Sequence, residues 1–257
     1  MTRLSVQAVT KRFGGVTATG DVSFDVPEKG VTAVIGPNGA GKTTLFSLVS
    51  GFLTPDQGRI LFDGEDIVGM RPDRLAARGL VRTFQLVQLF PDLTTLDNVK
   101  VGQHLQTRSG LLAAVLRPGS TRREEAAVSA RARELLALVG LLDVADQPAK
   151  VLSYGQQRLL EVARALAAGP RLVLLDEPAA GLDAAESKRL AAVIRTIADQ
   201  GVTVLLIEHD MSLVMNVADR VVVLDFGRKI AEGAPAEVRA HPAVIAAYLG
   251  GVEIADG

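Results

Sequence analysis

The stretch VTAVIGPNGAGKTTL, residues 31–45, constrains the fold more than any other part of the chain. Five apolar or β-branched residues lead into the spacing GxxxxGKT, so a buried strand, a glycine loop and a helix are expected in that order. Glycines at 36, 39 and 41 let backbone N–H groups turn inward around an anion, because side chains there would block its approach. The helix start adds positive partial charge at the same point. Lys42 then sets a full charge against the β and γ phosphates of a nucleotide, and the Thr43 hydroxyl suits Mg2+, which keeps most of its waters.

A phosphate loop of this kind needs a mainly parallel sheet around it, and the rest of the chain supplies the pieces. RLSVQAV, DVSFDV, GRILFDG, LVLLDEP, VTVLLIEHD and RVVVLDFGRKI join VTAVIG as strand-sized runs, alternating with helical patterns. The alternation stops between residues 86 and 150, where TLDNVKVGQHL, RSGLLAAVLRPGSTR and REEAAVSARARELLALVGL predict helices in a region inserted into the α/β core. That region holds six arginines against three glutamates between 104 and 135, the pattern of a solvated helix face or, alternatively, of a membrane-surface or partner contact. GAPAEVRAHPAVIAAYLGG predicts a short helical tail over 235–257.

Composition excludes several classes of function. With 257 residues and 48% apolar content the chain can bury one large core. Its 28 basic and 29 acidic residues leave no electrostatic footprint for nucleic acid. There is no cysteine, so neither disulfides nor thiol chemistry contribute. MTRLSVQAVTKRF lacks the apolar core of a signal sequence, and no run approaches the ~20 apolar residues of a membrane span. A membrane, if involved, is expected through another chain.

A phosphate loop binds nucleotide without acting on it, so the water-activating groups are sought at neighbouring strand ends. RLVLLDEP ends a buried strand with Asp176 and Glu177 side by side. Alternation along the strand turns them in different directions: Asp176 toward the metal, usually through water, and Glu177 toward the attacking water as general base or orienter. VTVLLIEHD ends a second strand with Glu208, His209 and Asp210. Of the three histidines, only His209 has such a context; His104 and His241 do not.

Taken together, GPNGAGKTT at 36–44, Gln85 in RTFQ, LSYGQ at 152–156, LVLLDEP at 172–178, AGLD at 180–183 and His209 resemble the ATP-binding cassette family, over nearly the whole chain and in the right order. The resemblance implies a RecA-like P-loop NTPase core of residues 1–85 and 151–257, with an N-terminal antiparallel β subdomain and an inserted α-helical subdomain at 86–150. It implies ATP and Mg2+ as ligands, with Asn38, Gly39, Ala40, Gly41, Lys42, Thr43 and Thr44 around the phosphates and Phe13 stacked on adenine. Thr43, Gln85 and Asp176 would hold the metal, and Glu177, His209 and Gln85 would serve hydrolysis.

The second glycine loop, LSYGQQRLL, finds its purpose in the same resemblance. Cassettes of the family pair head to tail, so that Ser153, Gly155 and Gln156 of one close over the ATP held by the other. Ser153 can cap the helix that follows, and its hydroxyl with the N–H groups near Gly155 can face a γ-phosphate. Asp183 matches the loop through which the paired sites sense each other. The partners implied are a second cassette, the same or different, transmembrane permease subunits docked near Leu89, Phe90 and Leu93, and indirectly a substrate-binding protein. The place implied is the cytoplasmic face of the cell membrane.

One departure narrows the resemblance. Tyr154 stands where the family usually has the first of two glycines. With RTFQLVQLFPDLTTLDNV, DEPAAGLD and HPAVIAAYLGG, it looks like the ATP-binding subunits of branched-chain amino acid importers. Cassettes for urea import and lipopolysaccharide export share much of this background. Non-transport members usually carry two cassettes or a long coiled-coil insertion, and neither is seen in this sequence.

Overall fold

The computed structural model describes residues 1–83, 89–103 and 118–249. Gln85, His104, most of the expected helix RSGLLAAVLRPGSTR and the end of the tail, 250–257, lie outside the described residues. The described elements run β1 (Thr2–Phe13), β2 (Val16–Pro27), β3 (Gly30–Ile35), α1 (Lys42–Val49), β4 (Gln57–Phe62), β5 (Glu65–Asp66), α2 (Pro72–Ala77), β6 (Leu80–Arg82), α3 (Thr95–Gly102), α4 (Pro118–Leu138), α5 (Tyr154–Ala167), β7 (Leu172–Asp176), α6 (Ala184–Asp199), β8 (Thr203–Ile207), α7 (Met211–Val217), β9 (Arg220–Asp225), β10 (Arg228–Gly233), α8 (Pro235–Arg239) and α9 (Pro242–Leu249).

Two sheets form. The antiparallel one has the order β2-β1-β4-β5, and the other has the order β10-β9-β3-β8-β7-β6. In the second, β9, β3, β8, β7 and β6 are parallel and β10 closes the edge antiparallel to β9. The parallel strands are covered on both faces and therefore read as unbroken apolar runs: every residue of β7 and β8 is buried.

Period-two alternation sends successive side chains of these strands into different cores. Val34, Leu174, Leu205 and Val222 join α1 and the antiparallel sheet in one cluster, where Phe46 and Leu45 are fully buried. Ala33, Val173, Leu206 and Val221 face the other side, with Leu190 and Ile194 of α6 and Val214 of α7. Each such Val or Leu contributes about 1.5–3 kcal/mol on burial, which fixes the strand register because a one-residue slip would exchange the two faces.

Helices α3, α4 and α5 pack together, joining Val99, Leu135, Leu136 and Leu160 to the second core. α4 starts at Pro118, five residues before the expected Arg123, with proline tolerated at the first helical position where its missing N–H has no partner to lose. α5 ends at Ala167 with Ala168 as its C-cap, and Gly169 follows with φ +65°, its N–H returning to the Leu166 carbonyl.

One strand assignment is corrected. RVVVLDFGRKI is two strands, because Phe226 and Gly227 both take positive φ and make a two-residue hairpin turn between β9 and β10. β6 pairs with β7, although its three residues are too few to show a period. No described helix is long and apolar enough to cross a membrane.

Candidate functional site

The loop between β3 and α1 is held by close backbone approaches. A Cβ on Gly36 would lie 2.1 Å from the Leu224 carbonyl oxygen, and one on Gly41 2.2 Å from that of Ala18, so only glycine fits either place. Gly39, at φ +82°, meets nothing within 4 Å on that side and opens onto solvent. Residues 38–44 line a cavity of about 350 Å³, and Glu177 lines it too. Asn38, Gly39, Ala40, Gly41, Lys42, Thr43 and Thr44 are therefore brought to one surface.

Lys42 is buried, and its ammonium donates to the carbonyls of Gly36 at 2.7 Å and Pro37 at 2.9 Å. Burial pushes its pKa below the usual lysine value, while the nearby Glu177 carboxylate opposes that shift. An ammonium whose hydrogen bonds go to neutral carbonyls in a buried site is poised to gain from an arriving anion.

Asp176 ends β7 with its carboxylate buried and paired to Arg82, Nη2 to Oδ2, at 2.7 Å. Arg82 also donates to Ser50 Oγ at 2.9 Å. Glu177 follows with φ +45°, its N–H donating to the Ile207 carbonyl at 3.0 Å. That unusual backbone turns its side chain away from Asp176 and onto the cavity wall. His209 brings Nδ1 to 3.9 Å from Glu177 Oε2, too long for a hydrogen bond but close enough for the two to act on one water.

Phe13 is about half exposed at the end of β1, with the Lys11 ammonium 5.7 Å from its ring centroid. It does not itself line the cavity; Val16, Thr17 and Ala18, just after it, do so with Phe226 of the β9–β10 turn. Phe226 is 87% exposed and was missed in the sequence, where DFG reads as the inside of one strand.

The second glycine loop lies elsewhere. Ser153 caps α5 as expected: its Oγ accepts from the Gln156 N–H at 3.2 Å, and Gln156 Oε1 accepts from the Ser153 N–H at 2.9 Å. Ser153, Gly155 and Gln156 line a small cavity of about 170 Å³ with Glu186 and Arg189, and share no wall residue with the phosphate loop. Asp183 caps α6 by accepting from Ala185 and Glu186, while Glu186 Oε2 accepts from the Asp183 N–H. A Cβ on Gly155 would lie 2.3 Å from Glu186 Oε1, so the glycine loop and the Asp183 cap are in contact. Gln85 lies outside the described residues.

A larger cavity of about 640 Å³ lies between α7 and α9, lined by Met211, Met215, Ile245 and Tyr248. Among the described residues its walls carry no carboxylate and no glycine loop, so the chemistry belongs to the smaller one.

A centre of this construction belongs to a P-loop nucleotide hydrolase of the α/β class. Residues 19–180 match the family model described as ABC transporter, and residues 228–254 that of the branched-chain amino acid ATP-binding cassette transporter. The chain belongs to the ATP-binding cassette transporter family, and it is an ATP-hydrolysing, nucleotide-binding subunit of such a transporter.

It is 45% identical to the high-affinity branched-chain amino acid transport ATP-binding protein BraF of Pseudomonas aeruginosa, over 96% of this chain and 97% of that one. With LivG of Escherichia coli, which carries the same description, the identity is 42% over the same shares. Among solved structures it resembles the ADP conformation of MJ1267, an ATP-binding cassette of an ABC transporter, with TM-score 0.85 and 34% identity over 97% of this chain and 99% of that one. It also resembles the dimeric post-hydrolysis state of the cassette MJ0796 bound to ADP and Pi, with TM-score 0.75 and 25% identity over 90% and 98%.

Proposed function

We propose that this chain powers import of branched-chain amino acids as one of two cassettes at the cytoplasmic face of a cell membrane, each ATP being gripped by one cassette and closed over by the other. The observation that carries it is the position of Glu177 on the wall of the phosphate-loop cavity, with His209 behind it. The cargo is supported by the descriptions of BraF and LivG and by the match of residues 228–254.

In this reading Phe13 receives the adenine, with Val16 and Phe226 beside it, and residues 38–44 hold the phosphates. Oxygen donors of the kind a hard cation such as Mg2+ takes are present in the Thr43 hydroxyl on the cavity wall and in the Asp176 carboxylate, which is buried and paired with Arg82. Thr43, Asp176 and Gln85 would hold it, and the ion when bound neutralises charge on the β and γ phosphates. Glu177 accepts a proton from water as the water oxygen bonds to the γ-phosphorus and the bond to the β-γ bridging oxygen breaks. His209 orients that water and the γ-phosphate. Ser153, Gly155 and Gln156 of the second cassette supply hydroxyl and N–H donors from the opposite side, and Asp183 lies beside them.

ATP thus joins the cassettes, and loss of the γ-phosphate removes contacts that favoured the closed pair. Residues 86–150 would act as a helical unit moved by the segment at Gln85, with the exposed Phe90 and Leu93 meeting a permease. Residues 1–85 and 151–257 would form the nucleotide-binding core, ending in the 235–257 tail. A substrate-binding protein would deliver cargo on the far side. The test is transport by the reconstituted complex across a panel of amino acids, urea and lipid, with phosphate release measured in parallel. ATP-dependent uptake of leucine, isoleucine and valine supports the reading; uptake of urea alone, or movement of lipid alone, overturns the cargo.

A further inference from the structure

Beyond the groups that face nucleotide, the end of β8 buries one carboxylate completely. Glu208 has no exposed surface, yet its two oxygens are fully engaged. Oε1 accepts from the Ala179 N–H at 2.8 Å, and Oε2 accepts from the N–H groups of His209 at 3.1 Å and Asp210 at 3.4 Å. The first belongs to the segment that runs from Glu177 to the Asp183 cap, and the other two to the segment that carries the histidine. Burial raises the Glu208 carboxyl above the usual carboxylate range, and the three N–H groups together with His209 offset only part of that shift.

The location gives this clamp a task. Glu177 sits at φ +45°, a backbone conformation that a non-glycine residue keeps only when its surroundings fix it. One constraint is its own N–H on the Ile207 carbonyl, the residue just before Glu208. The second comes two residues later, where Ala179 is tied to Glu208. His209 Nδ1 lies 3.9 Å from both Glu177 Oε2 and Glu208 Oε2, so the three side chains share one small region.

We propose that Glu208 is a positioning residue for ATP hydrolysis: one buried carboxylate fixes the backbone beyond Glu177 with one oxygen and that of His209 with the other, keeping base and histidine at a set separation. The proposal rests on the ATPase reading above. Glutamate is required because both of its ends accept. A glutamine has the same shape but one accepting end, and its NH2 group would face an N–H donor on one segment or the other.

The test is Glu208→Gln, alone and combined with His209→Ala. Turnover at saturating MgATP is expected to fall about tenfold or more while KM stays within about twofold, since no phosphate-binding group is touched. In the His209→Ala background the same change is expected to cost less than about twofold, because the geometry it protects has gone. Turnover within about twofold of the parent, or an equal loss with and without His209, overturns the proposal. Amide hydrogen exchange of the nucleotide-free chain reads the clamp without catalysis: Ala179, or His209 with Asp210, is expected to lose protection, and unchanged protection on both sides overturns it. Should the parental chain not hydrolyse ATP even with a partner cassette supplied, the ATPase reading fails and the exchange experiment still decides the clamp. Glu208→Asp, whose oxygens are drawn back by one methylene, takes the same measurements if the glutamine variant does not fold.

Discussion

Arg82 and Asp176 meet at 2.7 Å across the edge of the parallel sheet, their side chains only 9% and 3% exposed. Ninety-four residues separate them in sequence, and the pairing of β6 with β7 brings them together. The carboxylate expected to serve a metal is therefore already neutralised by an arginine that also holds Ser50 of the stretch following α1.

Removing one member of such a pair leaves a buried charge unpaired, at a cost of about 3–5 kcal/mol. Arg82→Met should lower the thermal midpoint by roughly 10 °C in a calorimetric scan. Adding Asp176→Asn should recover part of the loss, because no charge is then stranded. A midpoint unmoved in the single variant would contradict the structural weight given to the pair.

Glu177→Gln keeps the shape of the cavity wall and removes the proton acceptor. MgATP binding should persist while turnover falls by about 100-fold or more. Turnover at the parental rate, measured by phosphate release, would mean that Glu177 is not the base.

Lys42 carries a pH prediction whose sign follows from burial. Its pKa lies below the ordinary lysine value, so the neutral amine is reached at a lower pH than in an exposed lysine. Phosphate binding favours the charged form and therefore raises that pKa. ATP affinity should fall as pH rises through the alkaline range below the usual lysine pKa, with proton uptake on binding in that window. Titration calorimetry in buffers of different ionisation enthalpy measures both. Lys42→Ala should weaken binding at neutral pH, and an unchanged affinity would remove Lys42 from the phosphate site.

Gly155→Ala would place a methyl group against Glu186 and displace the carboxylate from the Asp183 N–H. A side-chain end can move, so stability should drop by only about 1 kcal/mol, the worth of a cap. Exchange of the Asp183 amide should nevertheless accelerate. Unchanged exchange would show that the glycine loop does not control that cap.

How much of this was legible beforehand depended on the reach of each interaction. Gly36, Gly39, Gly41 and Lys42 act within one loop, and Asp176 and Glu177 directly follow an apolar strand, so adjacent residues were enough to mark them. The capping role of Ser153 was legible for the same reason, since its partner is Gln156. Arg82 was not, because its partner comes from another strand and β6 has too few residues to show a period. Glu208 was visible at a strand end, but its bond to Ala179 crosses 29 residues and exists only once β7 and β8 are side by side. Phe226 was hidden by a hairpin turn that lacks the usual asparagine or glycine at its first position.

The central claim is that the reactive pocket is complete only when two cassettes meet, since Ser153, Gly155 and Gln156 share no wall with the phosphate loop of their own chain. The most direct test is ATP turnover per chain, measured as the isolated chain is diluted. The account predicts that activity per chain falls toward zero on dilution, or is absent until a different partner cassette is added. Turnover per chain that stays constant down to concentrations at which light scattering finds only single chains with MgATP present would contradict it.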